Sequence, residues 1–191
     1  MRRVLIALSM VALLWIPAVR SWVEGSMTRH MLIGLPLLVA AGVMAGAGWA
    51  RAARQGSAWN PGGIPGALLA LGCSAAIMVP RVLDAAVQSL AADAIKSALA
   101  LLAGAALSAS WRALGSLGQA FVVGNAGWML GAAGLLLQQA PERLCVQYLQ
   151  GDQRRAGVGL VIGAVLIVAG WLASAPWRDE LVADPATMRT T

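Results

Sequence analysis

Six long apolar runs, with almost no charge inside them, constrain this sequence more than any other feature. An α-helix needs roughly 20 mainly apolar residues to cross a bilayer core of about 30 Å. Because only short connections separate the runs, we predict an all-α fold, a polytopic transmembrane helix bundle that forms a single integral membrane domain over residues 1–191. The predicted spans lie near residues 4–20, 31–50, 64–80, 95–111, 117–137 and 158–175.

The composition excludes a soluble globular protein. Apolar residues make up 59% of the chain and charged residues 12%, and the mean hydropathy is +0.74. So few charges cannot cover a water-facing surface, for which about 25% is usual. The net charge is +6. In a membrane protein, an excess of positive charge anchors the loops to anionic lipid, so we expect membrane lipid and not nucleic acid as a partner. We predict a multi-pass protein of a bacterial-type inner (plasma) membrane.

The orientation rests on the first apolar run. Arg2 and Arg3 precede it directly, and we interpret it as a retained signal-anchor span because no clean cleavage site follows. Across six spans the positive residues divide seven to seven between the two sides. The Arg2–Arg3 pair beside the first helix therefore favours cytoplasmic termini. No repeat of the kind that transporters use is plain in the sequence, although similar gap lengths leave the question open.

Two charged pairs and one amide interrupt the apolar pattern. Apolar residues over 82–90 recur at helical spacing, which predicts a helix along the interface or on the bundle mouth. Arg81 and Asp84, at i,i+3, form either a polar gate or a satisfied ion pair. Asp93 and Lys96 repeat that spacing, and Lys96 is placed to snorkel from the helix end. Asn125 is expected to join helices by hydrogen bonding, or to line a pore.

The chain contains one histidine, and it lies where the second span begins. Met27 and Met31 share one helical face, and His30 lies on its flank. Thioether and imidazole ligands suit Cu(I), so Met27, His30 and Met31 form a candidate copper site. The alternative is that the methionines fill the core and that His30 is an interfacial hydrogen-bonding residue. Cys145 is a weaker further ligand, or a small buried apolar residue.

The same segment resembles a known family. His30-Met31-Leu32, followed by Pro36-Leu37-Leu38 and a later Gly42, is similar to the His-Met-Leu...Pro-Leu-Leu pattern of CtaG-type cytochrome c oxidase (caa3) assembly proteins. The resemblance implies a polytopic membrane protein that helps to build the copper centre of an oxidase. The chain departs from the family in having one histidine and six predicted spans, where the family usually has more histidines and a seventh span.

No catalytic constellation is present, so we predict that the chain is not an enzyme. One histidine and two cysteines provide no zinc or di-iron set and no pair of haem ligands. No glycine-rich loop with Lys-Ser/Thr is present for phosphates. The leading hypothesis is an accessory protein that assists copper delivery or oxidase assembly. The alternatives are a small transporter or permease-like subunit with Arg81, Asp84 and Asn125 along its path, and a structural scaffold. Other membrane protein subunits are expected partners in either case.

Overall fold

The computed structural model describes residues 2–47, 59–141, 143–145 and 147–174, and within them it forms helices and turns with no strand. This confirms the predicted all-α fold. The helices are α1 Arg2–Trp15, α2 Pro17–Glu24, α3 Met27–Gly46, α4 Ile64–Ile77, α5 Pro80–Gln88, α6 Leu90–Ser110, α7 Gly115–Gln139 and α8 Gln150–Ser174.

Four of these helices, α3, α6, α7 and α8, are long and apolar enough to cross a membrane. The number rises to six if each of two bent pairs counts as one span: α1 with α2, bent by 73°, and α4 with α5, bent by 68°. The outward faces carry large exposed apolar side chains, such as Leu117 and Trp128, which suit contact with lipid. The chain is a multi-pass membrane protein.

Proline causes both bends. Pro17 and Pro80 stand at the start of α2 and α5, where their missing N–H groups break the helical ladder. The residues before them, Ile16 (φ −61°, ψ 126°) and Val79 (φ −66°, ψ 122°), are extended, as proline requires of its predecessor. The predicted span over 4–20 therefore ends early, and residues 17–20 belong to a separate helix.

Three helices begin at least four residues earlier than the sequence pattern predicts. The span expected at 31–50 begins at Met27, the span expected at 95–111 begins at Leu90, and the span expected at 158–175 begins at Gln150. The added turns contain polar residues, but Asp93 and Gln153 are buried, so they do not end the helices as a lipid-exposed charge would. The connection that follows α7 shrinks to residues 140–149. Residues 48–50 and 175, at the ends of two predicted spans, lie outside the described residues.

The two bent pairs repeat the same features 63 residues apart. That spacing separates Pro17 from Pro80 and also Ser26 from Ser89. Both serines precede a long helix and share an extended backbone, with φ −146° and ψ 131° at Ser26 and φ −136° and ψ 126° at Ser89. The described residues thus contain two successive segments, α1–α3 and α4–α6, that share the order of a bent helix pair, an extended serine and a long helix.

Glycines set the helix packing at the centre of the bundle. Gly42 and Gly46 of α3 lie against Leu101 and Ala105 of α6. The contacts advance together along both chains, so α3 and α6 run parallel. Small residues four positions apart, such as Gly42 and Gly46, let two helices approach this closely. The α7–α8 hairpin closes in the same way through Gly134 and Gly157.

We call the end of the bundle that holds α2, α5 and the described residues between α7 and α8 the corner end. The first turns of α3, α6 and α8 meet there, because Met27 contacts Asp152 and His30 contacts Lys96.

Candidate functional site

A connected group of six polar side chains lies at the corner end. His30 Nδ1 is 2.9 Å from the Tyr148 hydroxyl, and His30 Nε2 is 3.0 Å from Lys96 Nζ. Lys96 Nζ continues to Asp93 Oδ1 at 2.6 Å. Arg20 Nε then joins Asp93 Oδ2 at 3.2 Å to Glu24 Oε1 at 3.1 Å. We call these six residues the polar cluster: Arg20, Glu24, His30, Asp93, Lys96 and Tyr148.

The contact with Lys96 fixes the protonation of His30. A lysine ammonium is only a donor, so Nε2 of the ring accepts its hydrogen bond and carries no proton. The ring proton is then on Nδ1, which donates to the Tyr148 oxygen. His30 is 1% exposed, so neither ring nitrogen is left for water. The arrangement holds a neutral imidazole between a phenol and an ammonium.

A local change of helix type places His30. Residues His30–Gly34 form a π-turn, in which the Leu35 N–H bonds to the His30 carbonyl. Pro36 follows and cannot donate to the carbonyl of Leu32, the bond that a regular α-helix would require. The widened turn accommodates this loss. Such π-bulges are frequent at functional sites.

The charges of the polar cluster balance. Arg20 and Lys96 contribute two positive charges, and Glu24 and Asp93 two negative ones. The side chains of Asp93 and Lys96 are each 5% exposed, whereas those of Glu24 and Arg20 are 14% and 23% exposed. The cluster therefore runs from a partly open end at Arg20 to a closed end at His30 and Tyr148. Burying four charges costs free energy unless they are paired as closely as these are.

The connection between α7 and α8 closes one side of the site. The Asp152 carboxylate accepts hydrogen bonds from the Met27 N–H, the Ser26 hydroxyl and the Thr28 hydroxyl. A carboxylate in that position also complements the positive end of α3. Buried Gln153 accepts from the Leu144 N–H and donates to the Leu137 carbonyl. These bonds hold the described part of the connection between α7 and α8, so that Tyr148 reaches His30.

The surroundings of Tyr148 keep its hydroxyl neutral. Burial raises the pKa of Tyr148 above its ordinary value, and the acidic groups of Glu24 and Cys145 raise it further. The oxygen of a protonated phenol accepts the hydrogen bond from the His30 Nδ1–H, and its O–H remains able to donate a second one.

A small cavity and a groove adjoin the polar cluster. The cavity has a volume of about 30 Å³, and its polar lining comes from Arg20, Glu24, His30, Asp93, Lys96 and Ser97. It has room for a water molecule. The groove is open, has a volume of about 570 Å³, and reaches Arg20 and Glu24 between α2 and the α5–α6 junction. The charged end of the site is therefore accessible from outside the bundle.

The structure brings some of the candidate copper ligands together. Met27, Met31 and Cys145 belong to one buried apolar cluster that also includes Tyr148. His30 lies beside it, but its two nitrogens are engaged by Tyr148 and Lys96. Within the described ranges, no three side chains of His, Cys, Asp or Glu are grouped so that they could hold a metal ion.

The other predicted polar residues differ in their surroundings. Arg81 is exposed and Asp84 is half-buried, and the Asp84 charge contributes to the surroundings of Cys145. Asn125 is exposed and donates to the Phe121 carbonyl of its own helix, so the expected bond to another helix is wrong. The predicted Asp93–Lys96 pair is confirmed. Lys96 is buried, however, and does not snorkel to the surface.

Sequence reasoning missed Arg20, Glu24 and Tyr148 as site residues. Tyr148 reaches His30 across 118 positions of the chain, a contact that no local spacing announces. Pro17–Ser26 and Pro80–Ser89 share a spacing of nine residues, but Pro65 and Ser74 share it too, so this spacing alone does not point to His30 and Asp93.

Cys145 provides a direct test of the closed end. Burial, together with the Asp84 charge, raises its pKa to about 11. Since the thiolate is the reactive form, on the order of one thiol in a thousand is ionised at pH 8. In a Cys73→Ala background we expect iodoacetamide to alkylate Cys145 at least tenfold more slowly in the folded protein than in denaturant, with a rate that rises with pH towards 11. Equal rates in the two states would contradict the closed corner.

Fold and site together define a multi-pass helical membrane protein with a charge-balanced polar cluster at one end of the bundle. No family model, curated protein or solved structure matches the chain.

Proposed function

We propose that the chain is an accessory protein of a bacterial-type plasma membrane that binds a small charged ligand at its corner end. The observation that supports this proposal most strongly is the polar cluster, whose six side chains come from α2, α3, α6 and residues 140–149. Ionisable groups buried inside a membrane protein are costly and usually serve a function. Two of these groups, Arg20 and Glu24, line an open groove, which supports a role in binding a ligand from outside the bundle.

The position of the polar cluster favours binding over permeation. All six side chains lie at the corner end, and farther along α6 the buried positions are small residues such as Ala100, Ala103 and Gly104. A transmembrane path would need polar groups along this interior. Of the three candidates for such a path, Arg81 and Asn125 are exposed, and Asp84 is half-buried at the corner end. These observations favour an accessory protein over a permease-like subunit.

The accessory role that we propose is oxidase assembly, which rests on the resemblance to CtaG-type proteins. A strain that lacks the gene should show reduced membrane cytochrome c oxidase activity, and the wild-type gene should restore it. We expect Lys96→Met, at matched abundance, to restore little activity, because it removes a charge from the polar cluster. Arg81→Met, an exposed change at the same end, should restore activity fully. Full restoration by Lys96→Met would contradict the proposal.

Copper delivery is the second form of this role, and anaerobic Cu(I) titration against a chelator tests it. The Lys96 ammonium 3.0 Å from His30 Nε2 occupies a ligand position and repels a cation. We therefore expect no binding that depends on His30 at micromolar free Cu(I). A one-to-one complex that is lost in His30→Ala and weakened in Met27→Leu and Met31→Leu would establish the copper site instead.

A further inference from the structure

Arg20 has an unused hydrogen-bonding edge. Its Nε atom is 3.1 Å from Glu24 Oε1 and 3.2 Å from Asp93 Oδ2. Within the part of the chain that the structure describes, its two terminal nitrogens form no hydrogen bond, and neither is a fully buried orphan. The two carboxylates thus hold the inner side of the guanidinium. Four N–H donors remain on its terminal nitrogens.

The open edge of Arg20 is next to the groove at the corner end. Trp15, Pro17 and Ser21 form one wall, and Gln88, Ser89 and Leu90 form the other. The groove volume of about 570 Å³ lies within the usual range for small-molecule sites, roughly 300 to 1,000 Å³. A planar guanidinium with two free terminal nitrogens matches the geometry of a phosphate or carboxylate, which it binds through two parallel hydrogen bonds.

We propose that the terminal nitrogens of Arg20 bind the phosphate of a phospholipid headgroup in this groove. The proposal deepens the binding function proposed above and rests on it. Because the charges of the polar cluster sum to zero, a lone oxyanion gains little from long-range attraction. An oxyanion attached to an apolar body gains more, since exposed Trp15 and Leu90 contact that body. A headgroup at a bundle mouth meets both requirements.

Titration of the purified full-length protein in detergent tests the site. The probes are monomeric dihexanoylphosphatidylglycerol, dihexanoylglycerol, which has the same apolar body without phosphate, and inorganic phosphate. We expect only the phospholipid to bind, and Arg20→Lys, which keeps the charge but loses the planar fork, to weaken its binding by about tenfold. Arg81→Lys, a matched change outside the groove, should stay within about twofold.

A second variant keeps the proposal falsifiable if Arg20→Lys disturbs the fold. Ser21→Trp fills the groove and leaves Arg20 in place, so it should also weaken phospholipid binding. Binding that survives both variants, or equal binding of dihexanoylglycerol, would overturn the proposal. Equally tight binding of inorganic phosphate would overturn the assignment to a lipid. Oxidase activity in cells is a separate measurement. A failure of the lipid-binding proposal can therefore be distinguished from a failure of the proposed function.

Discussion

Lys96→Met is expected to destabilise the protein by about 3 to 5 kcal/mol, the usual cost of removing one partner from a buried ion pair. The Asp93 and Lys96 side chains are each 5% exposed and 2.6 Å apart, so neither can recover a full hydration shell. The substitution also removes the donor to His30 Nε2. The cluster then carries two carboxylates against the single guanidinium of Arg20.

The double variant Asp93→Asn/Lys96→Met separates charge balance from the loss of individual contacts. It leaves Arg20 paired with Glu24 at 3.1 Å and restores a net charge of zero. We expect it to be more stable than Lys96→Met alone, because a neutral replacement of a buried pair is often close to neutral in free energy. Reversible unfolding in mixed micelles with increasing dodecyl sulfate measures both. If the double variant loses as much unfolding free energy as Lys96→Met and Asp93→Asn lose together, the role of charge balance is contradicted.

Gly104→Ala should be one of the most destabilising glycine-to-alanine substitutions among the described residues. A Cβ atom there would overlap the Val39 carbonyl oxygen of α3 and lie 2.8 Å from the Val43 nitrogen. Because both obstacles are backbone atoms, α3 and α6 must move apart. We expect a loss of about 1 to 3 kcal/mol, as for other overpacked sites.

Gly72→Ala is the matched control for that substitution. Gly72 lies inside α4, and a Cβ atom there meets nothing within 4 Å. The same change should stabilise the protein by up to about 1 kcal/mol, because alanine favours a helix interior over glycine. Unfolding of both variants in the same micelles gives the comparison. Equal effects at Gly104 and Gly72 would contradict the close α3–α6 packing.

Two pairs with the same sequence spacing show how far sequence reasoning reaches here. Arg81–Asp84 and Asp93–Lys96 are both at i,i+3 and both flank an apolar run. In the structure Arg81 is exposed, whereas Asp93 and Lys96 are buried in the polar cluster. Spacing predicts which residues share a helical face. It does not predict which face another helix covers, because that depends on contacts between distant segments.

Local chemistry predicted the helices well and the site only in part. Apolar runs identified the helical bundle, since that pattern acts within one segment. The histidine at the start of α3 marked the right region of the site. Arg20 and Tyr148 could not be found in this way, because each contacts the cluster from a segment that is distant in sequence.

Solid-state ¹⁵N spectroscopy of histidine-labelled protein in lipid bilayers tests the polar cluster most directly. The chain has one histidine, so each spectrum reports on His30 alone. At pH 7 we expect a neutral ring with the proton on Nδ1, because Lys96 donates to Nε2 and Tyr148 accepts from Nδ1. Lys96→Met should shift the Nε2 signal, since its donor is lost, whereas Arg81→Met should not. An imidazolium ring, or a neutral ring with its proton on Nε2, would contradict the cluster.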